Sequence, residues 1–237
     1  MRSHIRFASF FAFLLLSALA AGAQTTYNSP TDATWAKLYA TDCGPAMKHP
    51  CPPSTNGYEG EFTGDPRFLA LVKQSLPQQE SWWVNGYGGS APISKAVQEF
   101  LGEPHNITLD DDRYITADGC VPHACMIHGM LWIDTTTKPA TVIFVGETLV
   151  AGGLKGESGD HLYLYTSRKL ATYYAGKRPI KIFDPQFLRS LARWHDANVS
   201  KYDTQKIILA TIVWPNGATH DLFWSDLLQP PPLPTSN

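Results

Sequence analysis

The chain has 237 residues, with 19 basic against 21 acidic side chains and four cysteines. That length suits one well-packed domain carrying an extension, and a formal charge of −2 lacks the basic clusters by which nucleic-acid binders hold phosphate. A mildly acidic chain is compatible with a cationic partner, although so small a charge steers association weakly.

At the N-terminus, Arg2 and Arg6 precede an apolar run from Phe7 to Ala20, and Ala21-Gly22-Ala23 supplies small residues for cleavage. This pattern predicts a signal peptide over residues 1–23 and a mature chain starting near Gln24, exported to the periplasm or beyond. The apolar run is too short to span a bilayer comfortably, and no later stretch approaches the needed length, so no membrane span is expected. Export to an oxidising compartment makes disulfides the default for Cys43, Cys51, Cys120 and Cys125. Three pairings are possible, and proximity in sequence favours Cys43–Cys51 with Cys120–Cys125.

Residues 24–60 are rich in Pro, Thr, Asn and Ser, with room for a short helix over Thr34 to Tyr39. They read as an extension stapled by Cys43–Cys51, ahead of a domain over residues 61–228. Asp65 can cap a helix that has Pro66 at its first position and Phe68, Leu69, Val72 and Leu76 along one side. Trp82-Trp83-Val84 leads into the turn-rich Asn85-Gly86-Tyr87-Gly88-Gly89. Ile93, Val97 and Leu101 recur every four residues before Gly102, which predicts a helix over Ser90 to Leu101.

A run of strands follows. Tyr114 to Ala117 is β-prone. Ile127 to Asp134 alternates, with Ile127, Leu131 and Ile133 on one side and His128, Met130 and Trp132 on the other; Ala140 to Val145 is a further apolar, β-branched run. Lys155 to Asp160 reads as a loop, His161 to Tyr165 as a strand and Ser167 to Tyr174 as a helix. Asp184-Pro185 opens a helix with Phe187, Leu188, Leu191 and Trp194 facing the core. Lys206 to Trp214 is a strand that Pro215-Asn216-Gly217 turns toward a partner from His220 to Trp224. Residues 229–237 (Q-P-P-P-L-P-T-S-N) form a Pro-rich tail expected to be disordered. The fold class is therefore α+β: an antiparallel sheet flanked by helices on one face, with a disulfide-closed loop protruding from a hairpin.

The chemistry concentrates in Cys120-Val121-Pro122-His123-Ala124-Cys125. Four readings compete. A disulfide that merely staples a hairpin is the plainest; closing so small a loop removes chain entropy worth about 2 kcal/mol from the unfolded state. Cys120, His123, Cys125 and His128 are zinc ligands in type, but nine consecutive residues can hardly wrap a tetrahedron. His123 as a catalytic base needs a nucleophile and a carboxylate from elsewhere, and neither the run Asp110-Asp111-Asp112 nor any hydrolase motif supplies them. The last reading is a presented plug. Pro122 fixes one dihedral and the disulfide limits the others, so His123 loses little entropy on binding. Its two ring nitrogens suit a cleft lined by two carboxyl groups, such as a glycosidase's.

The segment C-V-P-H-A-C resembles the C-K-P-H-D-C loop of the inhibitor of vertebrate lysozyme (Ivy) family. Ile107 to Tyr114 before it, Met130-Leu131-Trp132 and Val142-Ile143-Phe144 after it, and Trp82 to Gly89 upstream are similar to family segments, so the likeness runs from about Phe68 to Val145. The resemblance implies an exported bacterial protein that is no enzyme and needs no cofactor or metal. Its partner would be a c-type lysozyme or a related muramidase, with His123 hydrogen-bonded to the catalytic carboxylates. Cys120 and Cys125 would hold the loop and Pro122 would shape it. It also brings homodimerisation, seen in at least one family member, as an expectation. Two positions depart from the family pattern. Val121 stands where the family has lysine and Ala124 where it has aspartate, and segments 24–60 and 152–176 are additional. These departures keep open an alternative, an exported non-inhibitory binding module that recognises another cell-envelope ligand.

Overall fold

The computed structural model describes residues 32–42, 59–76, 80–85, 89–150, 159–168, 183–199 and 207–227. The leader, the Cys43–Cys51 pairing, the helix expected after Ser167 and the Pro-rich tail lie outside the described residues. In chain order, a 3-10 helix Thr34–Tyr39 leads to strand β1 (Thr41–Asp42), then helices α1 (Glu59–Gly64) and α2 (Pro66–Ser75). Strands β2 (Glu80–Asn85) and β3 (Gly89–Pro92) follow, then α3 (Ile93–Phe100). The main strands are β4 (Glu103–Asp110), β5 (Tyr114–Val121), β6 (Ala124–Asp134), β7 (Thr141–Val150) and β8 (Gly159–Thr166). Helix α4 (Pro185–Trp194), a π-helical turn His195–Val199, strands β9 (Ile207–Val213) and β10 (Thr219–Phe223), and α5 (Trp224–Leu227) complete the order.

Eight strands form one sheet in the order β1-β4-β5-β6-β7-β8-β9-β10, while β2 and β3 pair separately. Strands β4 to β8 are antiparallel neighbours, as are β9 and β10, but β1 runs parallel to β4 and β8 parallel to β9. The sheet is thus mixed at its margins, where the expectation was purely antiparallel. The parallel β8–β9 step follows from its connection: α4 lies between the two strands, and a crossover of that length returns the chain in the same direction.

Helices cover both faces, not one. On the first face, Phe62, Phe68, Leu71, Val72, Ile93, Val97 and Phe100 pack against Ile115, Leu131, Ile133, Val142 and Phe144, with Trp35 and Ala36 in the same cluster. On the second, Phe187, Leu188, Leu191 and Trp194 of α4 pack against Met130, Trp132, Ile143, Val145, Leu162 and Leu164. The alternation in β6 carries the reason. Its odd positions and its even positions are both apolar, so both faces of the central strands must be removed from water. Burying a side chain such as Phe144 or Trp132 stabilises by roughly 2–3 kcal/mol.

Both long helices start with the same device. The Asp65 carboxylate accepts from the Arg67 N–H at 2.8 Å and Asp184 from the Gln186 N–H at 2.7 Å, with Pro66 and Pro185 at the first helical positions. Each Asp satisfies an N–H that has no intrahelical partner, and each Pro loses a donor that was not needed. Asp65 also pairs with Arg67 at 2.6 Å and accepts from the Tyr39 hydroxyl at 2.8 Å, which fastens the 3-10 helix to α2. No helix among the described residues is long and apolar enough to cross a membrane.

Candidate functional site

Strands β5 and β6 pair antiparallel from Tyr114↔Asp134 to Cys120↔His128 and then at Val121↔Ala124, so Pro122 and His123 make the turn. Between the last two pairs β6 carries three residues, Cys125, Met126 and Ile127, with nothing opposite on β5. This bulge throws Met126 outward and turns Ile127 back onto the first core cluster. Cys120 and Cys125 are joined by a disulfide across the neck, with Cα atoms 4.9 Å apart. Cys120 is buried, Val121 and Ala124 are half-buried, and Pro122, His123 and Cys125 are exposed.

His123 has φ of +63°, the left-handed region that side chains with a Cβ seldom enter. Its backbone N–H donates to Glu103 Oε1 at 3.3 Å, which helps hold that turn. Below the turn, the glycine after α3 leaves space for the proline: a Cβ on Gly102 would lie 2.7 Å from the Pro122 ring. Further down the hairpin, Gly119 faces Gly129 across the two strands. A Cβ at Gly129 would lie 2.6 Å from Phe100 Cβ, and one at Gly119 2.8 Å from the Glu103 carbonyl. Three glycines thus let the end of α3 and the start of β4 press against the loop's base.

Two residues here were not foreseen from sequence. Glu103 lies directly across from Cys120, and its Oε2 is 3.2 Å from Cys125 Sγ and 3.8 Å from Cys120 Sγ. Both sulfurs are in the disulfide and carry no hydrogen, so these are S···O contacts and not donated bonds. His105 is the extra residue of a β-bulge between the pairs Pro104↔Gly119 and Asn106↔Asp118. The bulge re-aims its ring toward Cys120, with Nε2 3.5 Å from Sγ. Strand β4 has no strong alternation and contains Pro104, which hid it in the sequence. Without the β4–β5 pairing, nothing in the spacing links Glu103 and His105 to the cysteines.

The other sequence candidates are placed as follows. Of the zinc set Cys120, His123, Cys125 and His128, the two sulfurs are bonded to each other, while His128 is buried across from Cys120. Burial first, then the neighbouring His105, brings the His128 pKa down to about 4, so its imidazole is neutral near pH 7. Of the acidic run, Asp110 is fully buried and held by Arg193 at 2.7 Å, whereas Asp111 and Asp112 take left-handed conformations in the exposed β4–β5 turn. That is the solvated-turn reading for the last two and a structural ion pair for the first. Asp118, below the loop, is buried and accepts from the Asn106 N–H at 2.8 Å and Asn198 Nδ2 at 3.1 Å. Burial pushes its carboxyl above the usual range.

Comparison with known proteins finds no matching family model, no matching known protein and no matching solved structure. The likeness to the lysozyme-inhibitor family therefore rests on the loop and the segments around it.

Proposed function

We propose that this protein is an exported inhibitor of c-type lysozyme, or of a related muramidase, that plugs the glycosidase cleft with His123 on a disulfide-closed hairpin loop. The observation that carries the reading is an exposed imidazole at the apex of a turn that is braced from three directions. The disulfide closes the neck, Pro122 packs over Gly102, and Glu103 takes the His123 amide. A side chain held this way gives up little freedom on binding.

The chemistry suits two unlike carboxyl groups. A retaining glycosidase of this type keeps one carboxyl protonated as the acid and the other ionised. A neutral imidazole answers both: its N–H donates to the carboxylate and its bare nitrogen accepts from the carboxylic acid. Met126, 67% exposed beside the loop, offers apolar surface next to His123 for a partner to cover. Val121 packs against the first core cluster and pairs with Ala124 across the hairpin, so the two stiffen the loop without gripping charges.

Lysis of peptidoglycan by a c-type lysozyme, measured with the oxidised protein and with His123→Ala, tests the mechanism. The intact protein should inhibit, and the alanine variant should lose most of the effect. Full inhibition by His123→Ala would contradict the plug, and no inhibition by either would contradict the lysozyme target. The two uncharged flanking residues favour, as a second reading, a non-inhibitory module for another cell-envelope ligand. Failure of immobilised lysozyme to retain the oxidised protein would select it.

A further inference from the structure

The exposed carboxylate of Glu103 and the re-aimed ring of His105 both point at sulfur atoms that, in the disulfide, have no hydrogen to give them. We propose that reduction of the Cys120–Cys125 disulfide turns this cluster into a binding site for a thiophilic divalent cation of zinc's class, with Cys120, Cys125, His105 and Glu103 as its four ligands. The ligand atoms of His105, Cys120 and Cys125 already lie within 4.8 Å of one another. Zinc bond lengths set tetrahedral sulfur–nitrogen and sulfur–oxygen edges of roughly 3.6 Å. The corresponding separations are 3.5 Å for His105 Nε2 to Cys120, and 3.2 and 3.8 Å for Glu103 Oε2 to the two sulfurs. The sulfur–sulfur edge has to open to roughly 3.8 Å in a tetrahedral site, and His105 Nε2 and Cys125 Sγ, within 4.8 Å of each other, have to draw in around the cation. The four ligands come from three adjacent strands, which removes the objection that one nine-residue stretch cannot wrap a cation.

The reductant is a dithiol. One of its thiolates attacks Cys125 Sγ, the exposed sulfur of the pair, and Cys120 leaves as thiolate. The second thiolate of the reductant then displaces Cys125. The reductant ends as a disulfide, and the two electrons and two protons it gives up pass to the loop as two thiols. Binding of the cation releases those two protons; His105 binds as neutral imidazole and Glu103 as carboxylate. The oxidised, His123-presenting state and the metal-bearing state exclude each other, because the same sulfurs serve both.

The test uses the full chain carrying Cys43→Ser and Cys51→Ser, so that any thiolate ligand comes from the loop. Reduction is by a phosphine, which takes the oxygen of water and returns two thiol hydrogens, and the excess phosphine is removed under anaerobic conditions before the titration. Titration with Co2+ should give thiolate charge-transfer and tetrahedral visible bands at one equivalent, and Zn2+ should bleach them. The oxidised chain should give neither band. His105→Gln, at an exposed position, should weaken Co2+ binding about tenfold or more, whereas His123→Ala should leave it unchanged. Absence of charge-transfer bands in the reduced chain would overturn the site, and so would an affinity that depends on His123 and not on His105. The result is separate from the lysozyme assay, which uses the oxidised protein.

Discussion

His123, Gly102 and Gly129 show how single residues divide presentation from support. His123 is exposed and its backbone amide is held by Glu103, so His123→Ala should leave the unfolding midpoint nearly unchanged while removing most of the proposed inhibition. Gly129 is the reverse case. A methyl group there meets Phe100 Cβ at 2.6 Å inside the core, where the neighbours have little room to move. Gly129→Ala should cost about 1–3 kcal/mol in a denaturant unfolding experiment. His128 adds a pH dependence. Its folded pKa of about 4 lies below the 6.5 of an imidazole in water, so the unfolded chain takes up the proton first. The stability held above pH ~6.5 is lost progressively as pH falls toward ~4. Equilibrium unfolding of His128→Asn should show a flatter profile across that window; an unchanged profile would contradict a buried neutral imidazole.

At the level of elements, the ion pair between α4 and β4 carries the clearest prediction. Asp110 is fully buried, and Arg193 reaches it with both terminal nitrogens, at 2.7 and 3.0 Å, while also donating to Thr108 Oγ1 at 3.0 Å. Removing the cation alone strands a buried carboxylate, so Arg193→Met should destabilise by about 3–5 kcal/mol. The double variant Arg193→Met with Asp110→Asn should recover a large part of that loss in a thermal unfolding cycle. Additive losses would mean that the pair is not coupled. Helix starts such as Asp65-Pro66 and Asp184-Pro185 were legible because their physics is local: a cap, a proline and an apolar spacing within ten residues. Strand β4, the covered second face and the Glu103–His105 approach were not, because each depends on which strand lies beside which. Gly102 illustrates the limit. It read as a helix stop, but the contact that fixes it is Pro122 on the next hairpin.

For the whole molecule, an eight-stranded sheet packed on both sides supplies a stiff base for one small hairpin end. Stiffness matters because a plug gains affinity mainly by not having to order itself on contact. Reduction with a phosphine should therefore weaken the proposed binding to lysozyme without unfolding the chain, since neither core cluster includes Cys120 or Cys125. Occupation of the cleft by His123, as proposed, is tested most directly by competition for the cleft. The affinity of a c-type lysozyme for the oxidised protein should be measured with and without a saturating N-acetylglucosamine oligosaccharide. The account predicts that the sugar displaces the protein, with apparent affinity falling in proportion to sugar occupancy. Equal affinity in the presence of saturating sugar would contradict it.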